Sequence, residues 1–120
     1  NFISVYGYFL NDTLIAFSSE IYNEKNLYSY YVGFNNRLNR KYSLYSRILI
    51  ETIRNGINLK AKKIILGRTA NEYKSNFGAI PIRSFIFLKA NKIYLNKLFT
   101  IIFKRLKVKR WKQRSPFKQK

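Results

Sequence analysis

The run NEYKSNFGA, Asn71 to Ala79, sets a phenol beside a primary amine. Tyr73 stands next to Lys74, after the short apolar run KKIILGR and just ahead of Pro81. A tyrosine can protonate a leaving group, and a lysine can stabilise developing negative charge. The same pair also fits a core tyrosine beside a solvated lysine, and the dipeptide alone does not separate the two. A second stretch, GFNNRLNRKYS from Gly33 to Ser43, carries Arg37, Arg40 and Lys41 where a strand gives way to a helix. Backbone N–H groups and the helix dipole favour an anion at such a turn, so it reads as a phosphate site or as a solvated basic loop. A general base has five carboxylates to come from: Asp12, Glu20, Glu24, Glu51 and Glu72. An attacking amine can also lose its proton through water, with no base residue at all.

These residues need elements to hold them. Phe2 to Phe9 is aromatic and β-branched, and Asn11-Asp12 is a hairpin turn pair. Thr13 to Tyr22 alternates, with Ile15, Phe17 and Ile21 on one face. Asn23 to Asn26 is a polar turn, and Leu27 to Phe34 is a third, tyrosine-dense strand. Asn35 to Tyr42 reads as a loop and Ser43 as an N-cap. Leu44, Ile48, Leu49, Ile53 and Ile57 follow helical spacing, and Asn55-Gly56 is a natural helix end. Lys63 to Leu66 is a short strand of buried type. Asn71 to Asn76 fits a short helix with Gly78 past its end, and Ile82 to Leu88 is a last strand. The order is β-β-β-α-β-α-β, an α/β fold with a mixed sheet. The third strand, the long helix and the Lys63 strand form a parallel βαβ unit. In open α/β sheets, ligands bind beyond the carboxyl ends of such strands, which is where Tyr73 and Lys74 fall.

The chain has 120 residues, 47% of them hydrophobic and 18% aromatic, enough for a core. Most of its 10 Tyr and 10 Phe fall in strands, so they read as core more readily than as base-stacking platforms. There are 24 Lys and Arg against 5 Asp and Glu, a net charge of +19, and no acid follows Glu72. Such a field attracts phosphates, nucleic acid or anionic lipid. Cysteine and histidine are both absent, which excludes disulfides, thiol nucleophiles, Ser-His-Asp triads and Cys/His zinc sites within the chain. No metal is expected. No apolar run reaches membrane-spanning length, and no signal peptide is visible.

Taken in order, YYVGF, NNRLNRKYS, LYSRILIETIRNGINL, KKIILGR and NEYKSNFGAIP resemble the C-terminal half of the GCN5-related N-acetyltransferase (GNAT) fold. There a mixed sheet runs strand, pyrophosphate loop, helix, strand, short helix, strand. More narrowly, YKSNFGAIP and the helix-glycine-strand-glycine run NGINLKAKKIILG are similar to the BioF2-like (cellulose-biosynthesis CelD-type) acyltransferases and the FemABX peptidoglycan-bridge aminoacyltransferases. The likeness covers residues 5–90 by element order, and its residue-level support lies in Gly56 to Pro81.

The resemblance implies a cytoplasmic enzyme that moves an acyl group from acyl-CoA, or an aminoacyl group from tRNA, to an amine or hydroxyl. It points to cell-envelope glycan chemistry. It also implies roles. Backbone groups of Tyr31, Val32 and Gly33 would meet the pantetheine arm. Arg37, Arg40, Lys41 and the amides near Ser43 would hold the pyrophosphate. Asn71 or Tyr73 would lie by the thioester, with Tyr73 the acid for the leaving thiolate, and Lys74 would contact phosphate or an oxyanion. The usual glycine-rich loop is missing, since no glycine lies between Gly33 and Gly56. That departure suits the FemABX and BioF2-like branches. The first strand and two early helices of the fold have no counterpart, so an incomplete domain is expected.

Residues 1–90 are thus expected to form the core, and 91–120 an amphipathic helix and a basic tail. Tyr94, Leu95, Leu98, Phe99, Ile102 and Phe103 make an apolar stripe, followed by KRLKVKRWKQR. Three readings fit: peripheral membrane contact through 93–114, nucleic acid including tRNA, or a packed helix with a solvated basic end. A chain dominated by that tail would be a non-catalytic module docking on RNA or anionic membrane.

Overall fold

The computed structural model describes residues 2–85, 87–92, 95, 98–99, 101–103 and 111–117. Three strands come first: β1 (Phe2–Leu10), β2 (Thr13–Asn23) and β3 (Asn26–Phe34). Two tight turns join them. Asn11 and Asp12 both take positive φ, 47° and 61°, as do Glu24 and Lys25, 46° and 69°. Positive φ at both central residues matches the twist of the flanking strands, which is why such turns close two-residue hairpins. Then come α1 (Asn36–Tyr42), α2 (Leu44–Asn58), β4 (Lys63–Ile65) and α3 (Asn71–Ser75). The sheet order is β1-β2-β3-β4, with β1, β2 and β3 antiparallel and β4 parallel to β3. This is a mixed α/β architecture. The chain divides into two compact units, Asn1–Ala70 and Asn71–Lys120.

In the first unit α2 lies on one face of the sheet. Its buried side is Leu44, Ile48, Leu49, Thr52 and Gly56, while Ile57 is exposed. The apolar stripe therefore gives way to Thr52 and Gly56 in the last turns. Gly56 does not end the helix, which runs on to Asn58. A Cβ at Gly56 would strike the Ile64 side chain and come within 3.4 Å of Leu27 Cδ2. The glycine lets helix and sheet approach. Gly56→Val should lower stability by about 1–3 kcal/mol through overpacking, read as a reduced denaturant midpoint at unchanged slope.

The sheet face under α2 is unusual in composition. Cross-strand pairing puts Ser4, Glu20 and Ser29 in one row and Tyr6, Ser18 and Val32 in the next. Ser18 and Glu20 are buried, whereas Phe17 is exposed. The alternating apolar residues Phe17 and Ile21 of β2 thus point away from α2. Ile15 leaves that set: it stands at a register shift opposite Tyr8/Phe9 and packs with Ala16, Leu44 and Ile48.

Two further expectations are corrected. Asn35 to Tyr42 is not a loop, because Asn36–Tyr42 is helical. The reason is local: Asn35 Oδ1 accepts from the amides of Arg37 (3.0 Å) and Leu38 (3.3 Å), an N-cap. The last strand also does not form, since the described residues of 82–88 have no regular structure. Ile82, Phe85, Phe87 and Leu88 are all exposed there, and a strand needs a paired neighbour to persist. The second half of the chain keeps helical geometry at Leu95, Leu98, Phe99 and residues 101–103, while Tyr94 and residues 104–110 lie outside the described set. Among the described residues no helix is long and apolar enough to cross a membrane.

Candidate active site

One group of candidate residues is carried by β3 and the helix after it. β4 pairs only with Asn26, Leu27 and Tyr28. From Ser29 to Phe34, β3 has no strand on that side among the described residues, so the parallel pair opens toward its carboxyl end. The register of β3 against β2 shifts between Ser18 and Glu20, at the level of Tyr30 and Tyr31. Ser19 holds that bulge: its Oγ accepts from Tyr31 N at 2.9 Å and donates to Tyr31 O at 3.4 Å. Both backbone groups of Tyr31 are therefore engaged by β2, while its side chain is exposed beside Tyr30, ring centroids 4.4 Å apart. Val32 and Gly33 are half-buried and continue the open stretch, with the Phe17 ring over Gly33.

β3 then runs directly into α1. Arg37, Arg40 and Lys41 are exposed or half-exposed on it. Lys41 Nζ lies 5.2 Å from the centre of the Tyr42 ring. The ion pairs among the described residues are Arg47–Glu51, Arg54–Glu51 and Arg114–Glu72, so the charges of Arg37, Arg40 and Lys41 have no carboxylate partner there. The amides of the turn are less available than the sequence implies. Those of Arg37 and Leu38 go to Asn35, that of Ser43 to Asn39 O (2.8 Å), and that of Tyr45 to Asn39 Oδ1 (2.9 Å). Ser43 sits between the helices at φ 50°, makes no side-chain cap, and leaves that job to Asn39. An anion here would meet guanidinium and ammonium groups more than backbone N–H groups.

A separate group of candidate residues belongs to the other compact unit. Asn71, Tyr73 and Lys74 lie on α3. Tyr73 is 40% exposed and Lys74 only 6%, the reverse of a core tyrosine beside a solvated lysine. Burial pushes the Lys74 amine below its ordinary value, and its side chain makes no hydrogen bond or ion pair with the described residues. Gly78, at φ 80°, follows the helix end as the spacing anticipates.

The acids are accounted for one by one. Asp12 and Glu24 sit in hairpin turns. Glu51 is shared by Arg47 and Arg54, and Glu72 pairs with Arg114. Glu20 faces α2 and is 2% exposed, its Oε2 accepting from Asn55 Nδ2 at 3.0 Å. Its Oε1 and the Oγ1 of Thr52 are buried without a partner. Beside this layer Tyr8 is pushed above its usual value by burial first, opposed by its bond to Ser18, and further raised by Glu51 and Glu20. Sequence reasoning missed Asn39, Asn55 and Thr52, whose roles come from the packing of α1 and α2. Only Asn35 carried a local signal, an Asx residue ahead of a helix. Among the described residues no group of metal-ligating side chains gathers.

A family model described as an acetyltransferase (GNAT) domain matches residues 1–75, more than half of the chain, from β1 through α3. No curated protein and no solved structure matches the chain. The match includes the opened β3 edge, the basic α1 and the Tyr73-Lys74 pair alike. The chain belongs to the GNAT acetyltransferase family, whose members generally transfer an acyl group from an acyl-CoA donor.

Proposed function

We propose that the chain supplies the donor half of an N- or O-acyltransferase of the BioF2-like or FemABX-like kind, taking its acyl group from acyl-CoA. The single observation that carries this is the run of the chain from the open end of β3 into α1, where Arg37, Arg40 and Lys41 have no carboxylate partner among the described residues. An extended pantetheine arm suits an unpaired strand edge, and a pyrophosphate suits three uncompensated cations. Val32 and Gly33 are the backbone positions for the arm, with Tyr31 reading as a side-chain contact because its backbone is held by Ser19.

In the reaction the acceptor's amine or hydroxyl attacks the thioester carbonyl, the C–S bond breaks, and the thiolate leaves. Tyr73 gives its phenolic proton to that thiolate. Lys74 stabilises the developing oxyanion, and the attacking group loses its proton through water. Asn71 orients the thioester beside them. Every carboxylate is either in a turn or already engaged, so this reading needs no acidic base. Aminoacyl-tRNA is the second donor class, with the acceptor drawn from cell-envelope glycan precursors in both cases.

The test is calorimetric titration of the whole chain with acetyl-CoA and desulfo-CoA at moderate salt, repeated with Arg37→Ala/Arg40→Ala. Saturable binding that weakens about a hundredfold or more in the double variant, at roughly 1.5–3 kcal/mol per charged hydrogen bond, is the expected result. Binding of neither ligand sinks the acyl-CoA reading and leaves aminoacyl-tRNA to test. Binding that survives only at low salt and with any polyanion would return the chain to the docking-module reading.

A further inference from the structure

We infer that the segment 111–117 is a strap that sets the rotation of α3, and that Arg114 is thereby a positioning residue for Tyr73 and Lys74. The inference rests on the catalytic reading of that pair. A helix of five residues, Asn71–Ser75, is far too short to hold itself. What holds it is the far end of the chain. Arg114 Nη2 lies 2.9 Å from Glu72 Oε1, and the Arg114 backbone N donates to Ser75 Oγ at 2.9 Å. Ser75 Oγ in turn donates to Glu72 O at 2.6 Å. Gln113 Nε2 donates to Ala79 O at 3.0 Å, just past the helix. The Phe117 ring lies where a Cβ on Gly78 would stand, and Gly78 also takes φ 80°.

The spacing of these grips is decisive. Glu72 and Ser75 are three apart and share one helix face, and they bracket Tyr73 and Lys74. Two attachments on one face of a single turn fix its rotation about its own axis, and so fix the directions in which Tyr73 and Lys74 project. The weight is uneven. Glu72 and Arg114 are half-exposed, so their ion pair is weak alone. Ser75 is fully buried, so its bond to Arg114 N has little competition from water. Thus part of a segment that reads from composition as a solvated basic tail belongs to the proposed catalytic unit. Of the basic residues after Glu72, the last acid, Arg114 is one that the fold pairs with it.

The experiment compares the whole chain with Arg114→Ala, Glu72→Arg, the swap Glu72→Arg/Arg114→Glu, and a chain ended after residue 110. Two readouts are taken on each: hydrogen exchange of residues 71–79, with β1–β3 as the folding control, and steady-state acyl transfer. Truncation should speed exchange at 71–79 by about tenfold or more while β1–β3 stay protected. Arg114→Ala should lower kcat by about tenfold to a hundredfold with donor KM unchanged, and the swap should restore much of it. Unchanged exchange at 71–79 on truncation overturns the strap. So does a kcat loss in Glu72→Arg that the swap does not relieve. If exchange responds as expected but the whole chain transfers no acyl group, the strap stands as structure, while the positioning role falls with the catalytic reading.

Discussion

Lys74→Met is expected to lower kcat for acyl transfer by about 10²–10³-fold while raising the stability of the fold. The rate loss follows from removing a group that meets charge developing at the carbonyl. The gain follows from burial. Lys74 is 6% exposed and burial lowers its amine below the ordinary value, so its ammonium form is partly desolvated, and methionine fills a similar volume without charge. Opposite signs in activity and stability are what a functional buried lysine produces. A lysine that only lines the core gives a stability change and no rate change. The pH dependence adds a check. Burial lowers the folded-state value of Lys74 below that of the unfolded chain. Between the two values the unfolded chain binds more protons, so unfolding free energy rises with pH across that window and levels off above the ordinary amine value of 10.5. Chemical denaturation from neutral to alkaline pH should show this rise in the wild type and lose it in Lys74→Met. A flat wild-type curve would mean the amine is not desolvated. The companion change Tyr73→Phe should cost about 10²-fold in kcat with little effect on stability, since Tyr73 is 40% exposed.

The second large effect is on the first unit. Asn55→Leu should destabilise it by about 2–3 kcal/mol, because it removes the donor to a buried carboxyl group. Glu20 already has Oε1 without a partner and would then have neither oxygen bonded. Glu20→Met/Asn55→Leu, which replaces both partners with apolar groups, should return close to wild-type stability, as the apolar replacement of buried pairs does elsewhere. Thr52→Val, which removes the neighbouring unpartnered hydroxyl, should be neutral or stabilising by about 1 kcal/mol. Denaturant midpoints at constant slope decide it. A loss under about 0.5 kcal/mol in Asn55→Leu would show that Glu20 does not depend on that bond.

Much of this protein is local, and local features are legible in its sequence. Both hairpins follow from two-residue polar turns between β-branched and aromatic runs. α2 follows from Leu44, Ile48 and Leu49 at helical spacing, and β4 from a short apolar run after a helix. The short helix at Asn71 and the glycine beyond it are marked by chain chemistry over a few residues, although contacts from 111–117 hold the helix. The basic connection and the Tyr73-Lys74 pair stand out for the same reason, since residue type and neighbourhood are enough to nominate them.

The tertiary structure decides everything that depends on a partner far away in the chain. Asn39 caps α2 in place of Ser43 because α1 and α2 are folded against each other, whereas the Asn35 cap that makes α1 a helix is local and is masked by the polar, basic composition of the stretch. The sheet shows α2 its small and polar side, Ala16, Ser18 and Glu20, because Gly56 lets the helix close onto Leu27 and Ile64. The stretch 82–88 has the composition of a strand and no paired neighbour, so its described residues stay irregular. Lys74 is buried and Tyr73 exposed, against their ordinary preferences. Arg114 returns across 42 residues to Glu72. Composition and periodicity determine most of the elements that form, α1 and the stretch 82–88 being the exceptions. Burial, ion pairing and the closing of backbone hydrogen bonds between distant segments determine which faces they present, and so which side chains are left to do chemistry.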